Sequence, residues 1–314
     1  MQPGDLPGAS FNVTDSSFGC NLHLTLENSP FIGIIITFES VMVELLGRFE
    51  PAVFKFMKSL LDQSAVADRV LARGQGENPY EARLAASVED VRAAQTLRFL
   101  VFNLELNEGL EQSYATLRDA DPFDDICDHL LVIDRRSGEV VGTYRLQTGD
   151  VAARNRGYYS AQEFDLLPFD GMRSAVVELG RACVHSQHRN LAVLGLLWKG
   201  IANYCRSRGG RYLIGCSSLS TQDAATGAAV YSDLSHRFLV EERLRIQPLP
   251  ELACPMDKVA ELYERPPKLL SAYLSLGAKI CGVPAIDREF KTIDFLTFMD
   301  LESLSPSTVA RFLS

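Results

Sequence analysis

Four carboxylates, a histidine and two arginines interrupt otherwise apolar stretches of this 314-residue chain, and chemistry is to be sought there first. Glu178 and Arg181 lie in AVVELGRACVH (175–185), Arg145 in EVVGTYRL (139–146), and Asp294 inside KTIDFLTFM. Asp125, Asp128 and His129 sit between DPFDDI and LLV. A carboxylate among apolar neighbours becomes a proton acceptor near neutral pH, or it is held by an arginine as a structural bridge. Glu178 admits both readings. Residues 178 and 181 of a regular strand point to opposite faces, so a direct pair between them needs a bulge. Asp294 is either a partner-bound acid or simply on an exposed face. The Asp125–Asp128–His129 group is either a functional polar cluster or a loop cap beside a satisfied core histidine.

Metal chemistry is not expected. Cys127-x-His129 and Cys183-x-His185 each place thiol and imidazole on one strand face, but no further ligand pair has zinc-like spacing. The seven cysteines are odd in number, widely spaced and free of any C-x-x-C, which fits free thiols in a reducing cytoplasm. Cys183 and Cys216 read as small buried hydrophobes sooner than as nucleophiles.

The formal charge of −9 argues against a nucleic-acid binder. It is unevenly spread: residues 1–129 carry −11, residues 130–211 carry +5 and residues 212–314 carry −3. Arg189, Lys199, Arg206, Arg208 and Arg211 supply much of the basic block, as a solvated helix face or as a docking patch for an acidic partner.

Two parts must position these residues. RGQGENP (73–79) reads as a linker, separating a helical extension (1–78) from a main domain (79–314). FIGIIITFESVMVELL (31–46) is 16 residues long and carries Glu39 and Glu44, too short and too charged to span a bilayer. It reads as a buried or interfacial helix, so peripheral contact with a membrane is an expectation. The first ten residues hold no Lys or Arg, and no secretory signal is expected.

Beyond the linker, YEARLAAS, HLLVID, EVVGTYRL, AVVELGRACVH and RYLIGCSS read as strands. Ser87 with Asp90, and Ser160 with Glu163, are N-cap signatures. Between the last two strands, LAVLGLLWKGIANYC (191–205) is the clearest helix, ended by Gly209-Gly210. The order predicts an α+β domain with a mixed sheet flanked by helices.

The series LRFLVF (97–102), DICDHLLV (125–132), VVGTYRL (140–146), ELGR (178–181) and LGAKICGVPAIDREFKTIDFL (276–296), together with the strand–loop–helix–strand segment at 175–218, resembles the GNAT acyltransferase superfamily. The likeness is to its branch of ornithine-lipid lyso-synthases and N-acyl amino acid synthases, which is similar in turn to acyl-homoserine-lactone synthases. It covers about 80–314. It implies a GNAT fold and an enzyme that moves a long-chain, 3-hydroxylated acyl group to the α-amine of an amino acid, with ornithine the first choice. Glycine, lysine and tyrosine are alternative acceptors. A homoserine-lactone synthase and a non-catalytic binding module are rival readings.

The resemblance places Glu178 beside a splayed cleft as the base, and Arg181, with Arg145 second, on the acceptor carboxylate. Asp125, Asp128, His129 and Asp294 would complete acceptor binding. Backbone amides near Cys183 and Val184 would stabilise the oxyanion. Coenzyme A-dependent relatives carry glycines that let a pyrophosphate approach helix amides. Here the stretch is Arg189-Asn190-Leu191-Ala192-Val193-Leu194, without them. That favours acyl carrier protein as donor, docked on Arg189, Lys199, Arg206 and Arg208, with acyl-CoA the alternative. No permanently bound cofactor is expected.

Overall fold

The computed structural model describes residues 10–15, 20–25, 78–261 and 266–312. The chain divides into two units, Met1–Glu77 and Asn78–Ser314. In the first, β1 (Ser10–Asp15) and β2 (Cys20–Thr25) form an antiparallel pair. The expected helices of the extension, 31–46 among them, lie outside the described residues. What is described there is strand, consistent with the period-two alternation of Phe11, Val13 and of Leu22, Leu24.

The second unit is built on a sheet ordered β3-β4-β5-β6-β7-β10-β8, with β9 paired to β10. Its strands are β3 (Tyr80–Leu84), β4 (Asp128–Asp134), β5 (Val140–Thr148), β6 (Val176–Val184), β7 (Tyr212–Leu219), β8 (Lys279–Ile280), β9 (Ala285–Asp287) and β10 (Thr292–Asp300). Neighbours are antiparallel except β6 and β7, which run parallel, and the helix between them makes that crossover possible.

α1 (Val88–Phe99) starts as its sequence predicts, with the Ser87 hydroxyl accepting from Asp90 N at 3.2 Å, and runs on into a π-helical turn over Leu100–Glu105. Ser113–Thr116 (α2) and Gly149–Arg154 (α3) are single turns. α4 (Leu191–Arg208) joins β6 to β7. Asn190 caps its first amides, and Gly209 takes the left-handed cap at φ 71° that a side chain would resist. α5 (Ala224–Phe238), α6 (Lys268–Leu276) and α7 (Pro306–Phe312) complete the domain.

Strand alternation divides the sheet chemically. Leu130, Val132, Tyr144, Leu146, Val177 and Leu213 pack with Leu197 and Ile201 of α4 in an apolar core. The opposite face carries Arg145 and Gln147 of β5, Glu178 of β6, Cys216 of β7 and Asp294 of β10. This second face, here called the acid face, shares its side of the sheet with an apolar cluster of Val176, Ile214, Leu296 and Phe298.

Two local features shape the sheet where the faces meet. β6 and β7 are registered only over Val176–Glu178 against Tyr212–Ile214, although each strand continues for several residues. They part after Glu178. On the other edge of β6, register slips between the Thr143↔Cys183 and Arg145↔Gly180 pairs, a bulge that holds Arg181 at φ 49°. At the parting, Gly215 passes so close to β6 that an added Cβ would stand 2.3 Å from the Leu179 carbonyl oxygen. Gly215→Ala should therefore push β7 off β6. A thermal or urea melt should show a loss of about 1–3 kcal/mol, whereas Gly180→Ala, where an added Cβ meets nothing within 4 Å, should cost far less.

Candidate active site

The parting of β6 and β7 opens a narrow cleft of about 60 Å³ between them. Leu179–Ala182 of β6 and Leu213–Ser217 of β7 form its walls. Tyr144, Trp198 and Tyr273 close the α4 side, where the Tyr144 and Tyr273 hydroxyls hydrogen-bond and the Trp198 and Tyr273 rings meet edge-on at 5.7 Å. An open slot with an aromatic side and a polar side suits an elongated apolar molecule that carries one reactive polar group.

Glu178 is the last registered residue before the strands part, and it is 5% exposed. Its Oε2 accepts from Tyr159 N at 2.7 Å, and its Oε1 from Ser160 N at 2.8 Å and Ser160 Oγ at 2.5 Å. Burial raises its pKa, and the Ser160 and Tyr159 hydrogen bonds offset part of that rise. Three of about four acceptor sites of the carboxylate are used, which fixes its orientation and leaves room for one more donor. The Ser160–Glu163 pair is thus not a helix cap: Ser160 serves Glu178 from a 3₁₀ turn, Tyr159–Gln162.

The bulge turns Arg181 onto the acid face, but its guanidinium does not pair with Glu178. It lies 2.9 Å from Asp121 Oδ2 and 3.4 Å from Asp119 Oδ1, and stacks over Phe290 at 4.2 Å and Tyr159 at 4.9 Å. Arg145 donates to both Asp121 oxygens at 2.7 Å and to Asp124 at 3.1 Å. Arg98, fully buried, donates to Asp124 at 2.6 Å and lies 3.4 Å from Asp119. Three arginines and three aspartates therefore form one interlocked, charge-balanced network. Burial alone would raise Asp124 and Asp121, but the arginines outweigh it and hold both carboxyls below their ordinary range.

Sequence reasoning missed Asp119, Asp121, Asp124 and Arg98. Arg98 carried a usable signal, a lone cation inside LRFLVF. In DADPFDD nothing in composition says which acids turn inward; the turn does, through Phe123 N on Asp121 Oδ1 and Asp124 N on Asp121 O.

Asp125, Asp128 and His129 are not brought together. Asp125 is exposed. Asp128 sits on the α4 side and accepts from Tyr204 Oη at 2.8 Å, with Arg208 at 3.5 Å. His129 is buried on the other face, 3.2 Å from the Asp124 carbonyl oxygen, and burial lowers its pKa.

Asp294 meets a partner that the sequence did not suggest. Glu163, Cys216 and Asp294 bring two carboxylate oxygens and a thiol within 4.8 Å of one another, and Cys216 Sγ donates to Glu163 Oε1 at 3.8 Å. Burial, then mutual repulsion, raises the pKa of Glu163; burial also raises that of Asp294. The trio has a metal-like spacing, and without an ion burial and the two acids raise the thiol's pKa.

The proposed donor-side residues are mostly occupied. Cys183 packs with Leu97 and Val101, its thiol pushed up to about 12 by burial, and it pairs with Thr143 in register, as Val184 does with Gly142. Neither belongs to the cleft wall, whose β6 part ends at Ala182. Arg189 is tied to both Glu105 oxygens at 2.5 and 2.7 Å and to Val184 O at 3.1 Å. The Ala192 and Val193 amides are taken by Asn190 Oδ1 at 3.0 Å each. Lys199, Arg206 and Arg208 are exposed on α4; Arg206 donates to Asn203 at 3.0 Å, Arg208 lies 3.5 Å from Asp128, and Arg211 pairs with Asp300 and Glu302.

Residues 97–199 match the family model of the acetyltransferase (GNAT) domain. An L-ornithine N(alpha)-acyltransferase of Brucella abortus is 36% identical over 249 residues, covering 74% of this chain and 88% of its own. The Rhodobacter capsulatus protein of that name is 35% identical, covering 72% and 92%. A solved N-acyl amino acid synthase from uncultured soil microbes, FeeM, is 12% identical, covers 74% and 95%, and has a TM-score of 0.43. The fold is that of a GNAT acyltransferase. Within that class, the chain belongs to the L-ornithine Nα-acyltransferase family.

The charge network predicts a specific response to acid. Because Asp121 and Asp124 are depressed in the folded state, the stability they contribute is complete above their ordinary value near 4 and is lost as pH falls toward the folded values. Asp124→Asn should cost about 3 kcal/mol or more at pH 7 and make the acid limb of a melting-temperature profile shallower. The Glu163–Asp294 pair has the opposite sign. Both carboxyls are raised, so the folded state loses stability as pH rises through their folded values. Glu163→Gln should melt higher than the natural protein at pH 8 and show little gain at pH 5.

Proposed function

We propose that this enzyme moves a long-chain, 3-hydroxylated acyl group from acyl carrier protein to the α-amine of ornithine. The observation that carries this reading is the cleft between β6 and β7, whose wall begins at Leu179, the residue after a desolvated, oriented carboxylate, Glu178, which does not itself line it. The names of relatives at 35–36% identity support ornithine as acceptor.

In this reading the acyl chain runs along the apolar, Trp198–Tyr273 side of the cleft, and the acceptor enters from the acid face. Glu178 takes a proton from the α-ammonium through its free acceptor site, directly or by way of a water. The neutral nitrogen attacks the thioester carbonyl, the new C–N bond forms, the C–S bond breaks, and the proton shed by nitrogen ends on the departing thiol. Arg181 and Ala182 border the cleft at the bulge, where pairing with β5 is broken, so their amides are the better oxyanion donors than those near Cys183 and Val184. Arg145 and Arg181, already paired, offer the acceptor carboxylate their remaining N–H groups.

Two features support a carrier protein over coenzyme A. The amides that would hold a pyrophosphate are satisfied by Asn190, and Arg189 is committed to Glu105. Exposed Lys199 and Arg206, seven residues apart on one face of α4, offer positive charge to an acidic partner. Mass spectrometry of reactions holding purified protein, ornithine and either 3-hydroxyacyl carrier protein or 3-hydroxyacyl-CoA tests the reading. It expects N-acylornithine, formed at least about tenfold faster from the carrier protein; no product from either donor overturns it. Glu178→Gln should lower kcat by about 10²-fold or more at unchanged donor KM.

A further inference from the structure

We propose that Glu163 and Asp294 form an anionic pocket for the distal ammonium of the acceptor, so that these two carboxylates select a diamino acid; this rests on the reading above. Each residue is only 4% exposed. Glu163 Oε2 and Asp294 Oδ1 are buried and lack a hydrogen-bond partner, and among the described residues no cation lies within ion-pair distance of either. The other deeply buried acids described above each face a donor or a cation: Glu178 takes three donors, Asp121 and Asp124 share arginines, and Asp119, whose oxygens also lack a hydrogen bond, lies 3.4 Å from both Arg98 and Arg181. Two acids facing each other out of water and without a cation relieve their repulsion by sharing a proton, which an arriving ammonium can replace.

The position of the pair fits an acceptor already held at Glu178. Cys216 lines the cleft, and its Sγ is 3.8 Å from Glu163 Oε1, so the pair stands one side chain away from the open space. Ser160, which fixes Glu178, and Glu163 belong to one short segment, three residues apart. An amino acid whose α-nitrogen reaches Glu178 would therefore direct its side chain toward Cys216 and the pair. Beyond the pair itself, Asp287 of β9 adds negative charge there, and Arg181, committed to Asp119 and Asp121, is the nearby positive group. A primary ammonium offers three N–H donors to the unpartnered oxygens.

The test compares acceptors of equal length at saturating acyl donor: ornithine, and norvaline, which lacks the distal amine. The natural protein should prefer ornithine by about 10²-fold or more in kcat/KM. Asp294→Asn and the double variant Glu163→Gln/Asp294→Asn should raise KM for ornithine by about 10²-fold while leaving norvaline within a few-fold. Equal use of both acceptors by the natural protein overturns the pocket but keeps the transferase reading. Acylation of no amino acid at all removes that reading itself. An equal loss on both acceptors in a folded Asp294→Asn, or activity abolished by a chelator and restored by a divalent metal, assigns the pair a structural or metal-binding role and also overturns the proposal. Should the variants fail to fold, the ornithine-to-norvaline ratio of the natural protein decides alone.

Discussion

The fold depends on one interrupted interaction: β6 and β7 hydrogen-bond over three registered pairs and then separate. A parallel pair buried on both sides normally continues to the end of its strands, because an unpaired buried amide is costly. Here the separation is built in. Gly215 allows β7 to pass against the Leu179 carbonyl just where the strands diverge, and the bulge at Arg181 bends β6 away. Beyond Glu178 the two strands face a cleft instead of each other.

Electrostatics then set the character of each side. The α4 face is apolar and aromatic. The acid face keeps its charge compensated in one region and uncompensated in another. Arg98, Arg145 and Arg181 balance Asp119, Asp121 and Asp124, and that network stiffens the wall around Tyr159 and Glu178. Glu163 and Asp294 remain unbalanced. Buried charge of the first kind is structural; of the second kind, it suits a pocket that a cationic ligand completes.

Much of this was legible in the sequence. Strand alternation and the capped, apolar-striped α4 gave the mixed sheet and its crossover, and an ordered set of motifs pointed to the GNAT fold. Glu178 stood out as a carboxylate in an apolar strand, and the need for a bulge before residue 181 could share its face followed from strand geometry. What could not be read was long-range. Whether Asp121, Asp124 or Asp125 turns inward depends on a turn closed by its own backbone. That Glu163 meets Asp294 depends on a 3₁₀ segment crossing over β7 and β10, and its spacing from Ser160 suggested a helix cap instead. Basic residues on α4 advertise a patch in composition, yet Arg189 and Arg211 are consumed by acids more than eighty residues away in sequence. Charge counts register sign, not partnership.

A crystal structure with ornithine and a non-hydrolysable acyl-pantetheine bound would test the central claim most directly. The account predicts the carbonyl carbon between Leu179–Ala182 and Gly215–Ser217, with the acceptor's α-nitrogen within hydrogen-bond reach of Glu178. Pantetheine bound outside that parting, or an α-nitrogen held away from Glu178, would contradict it.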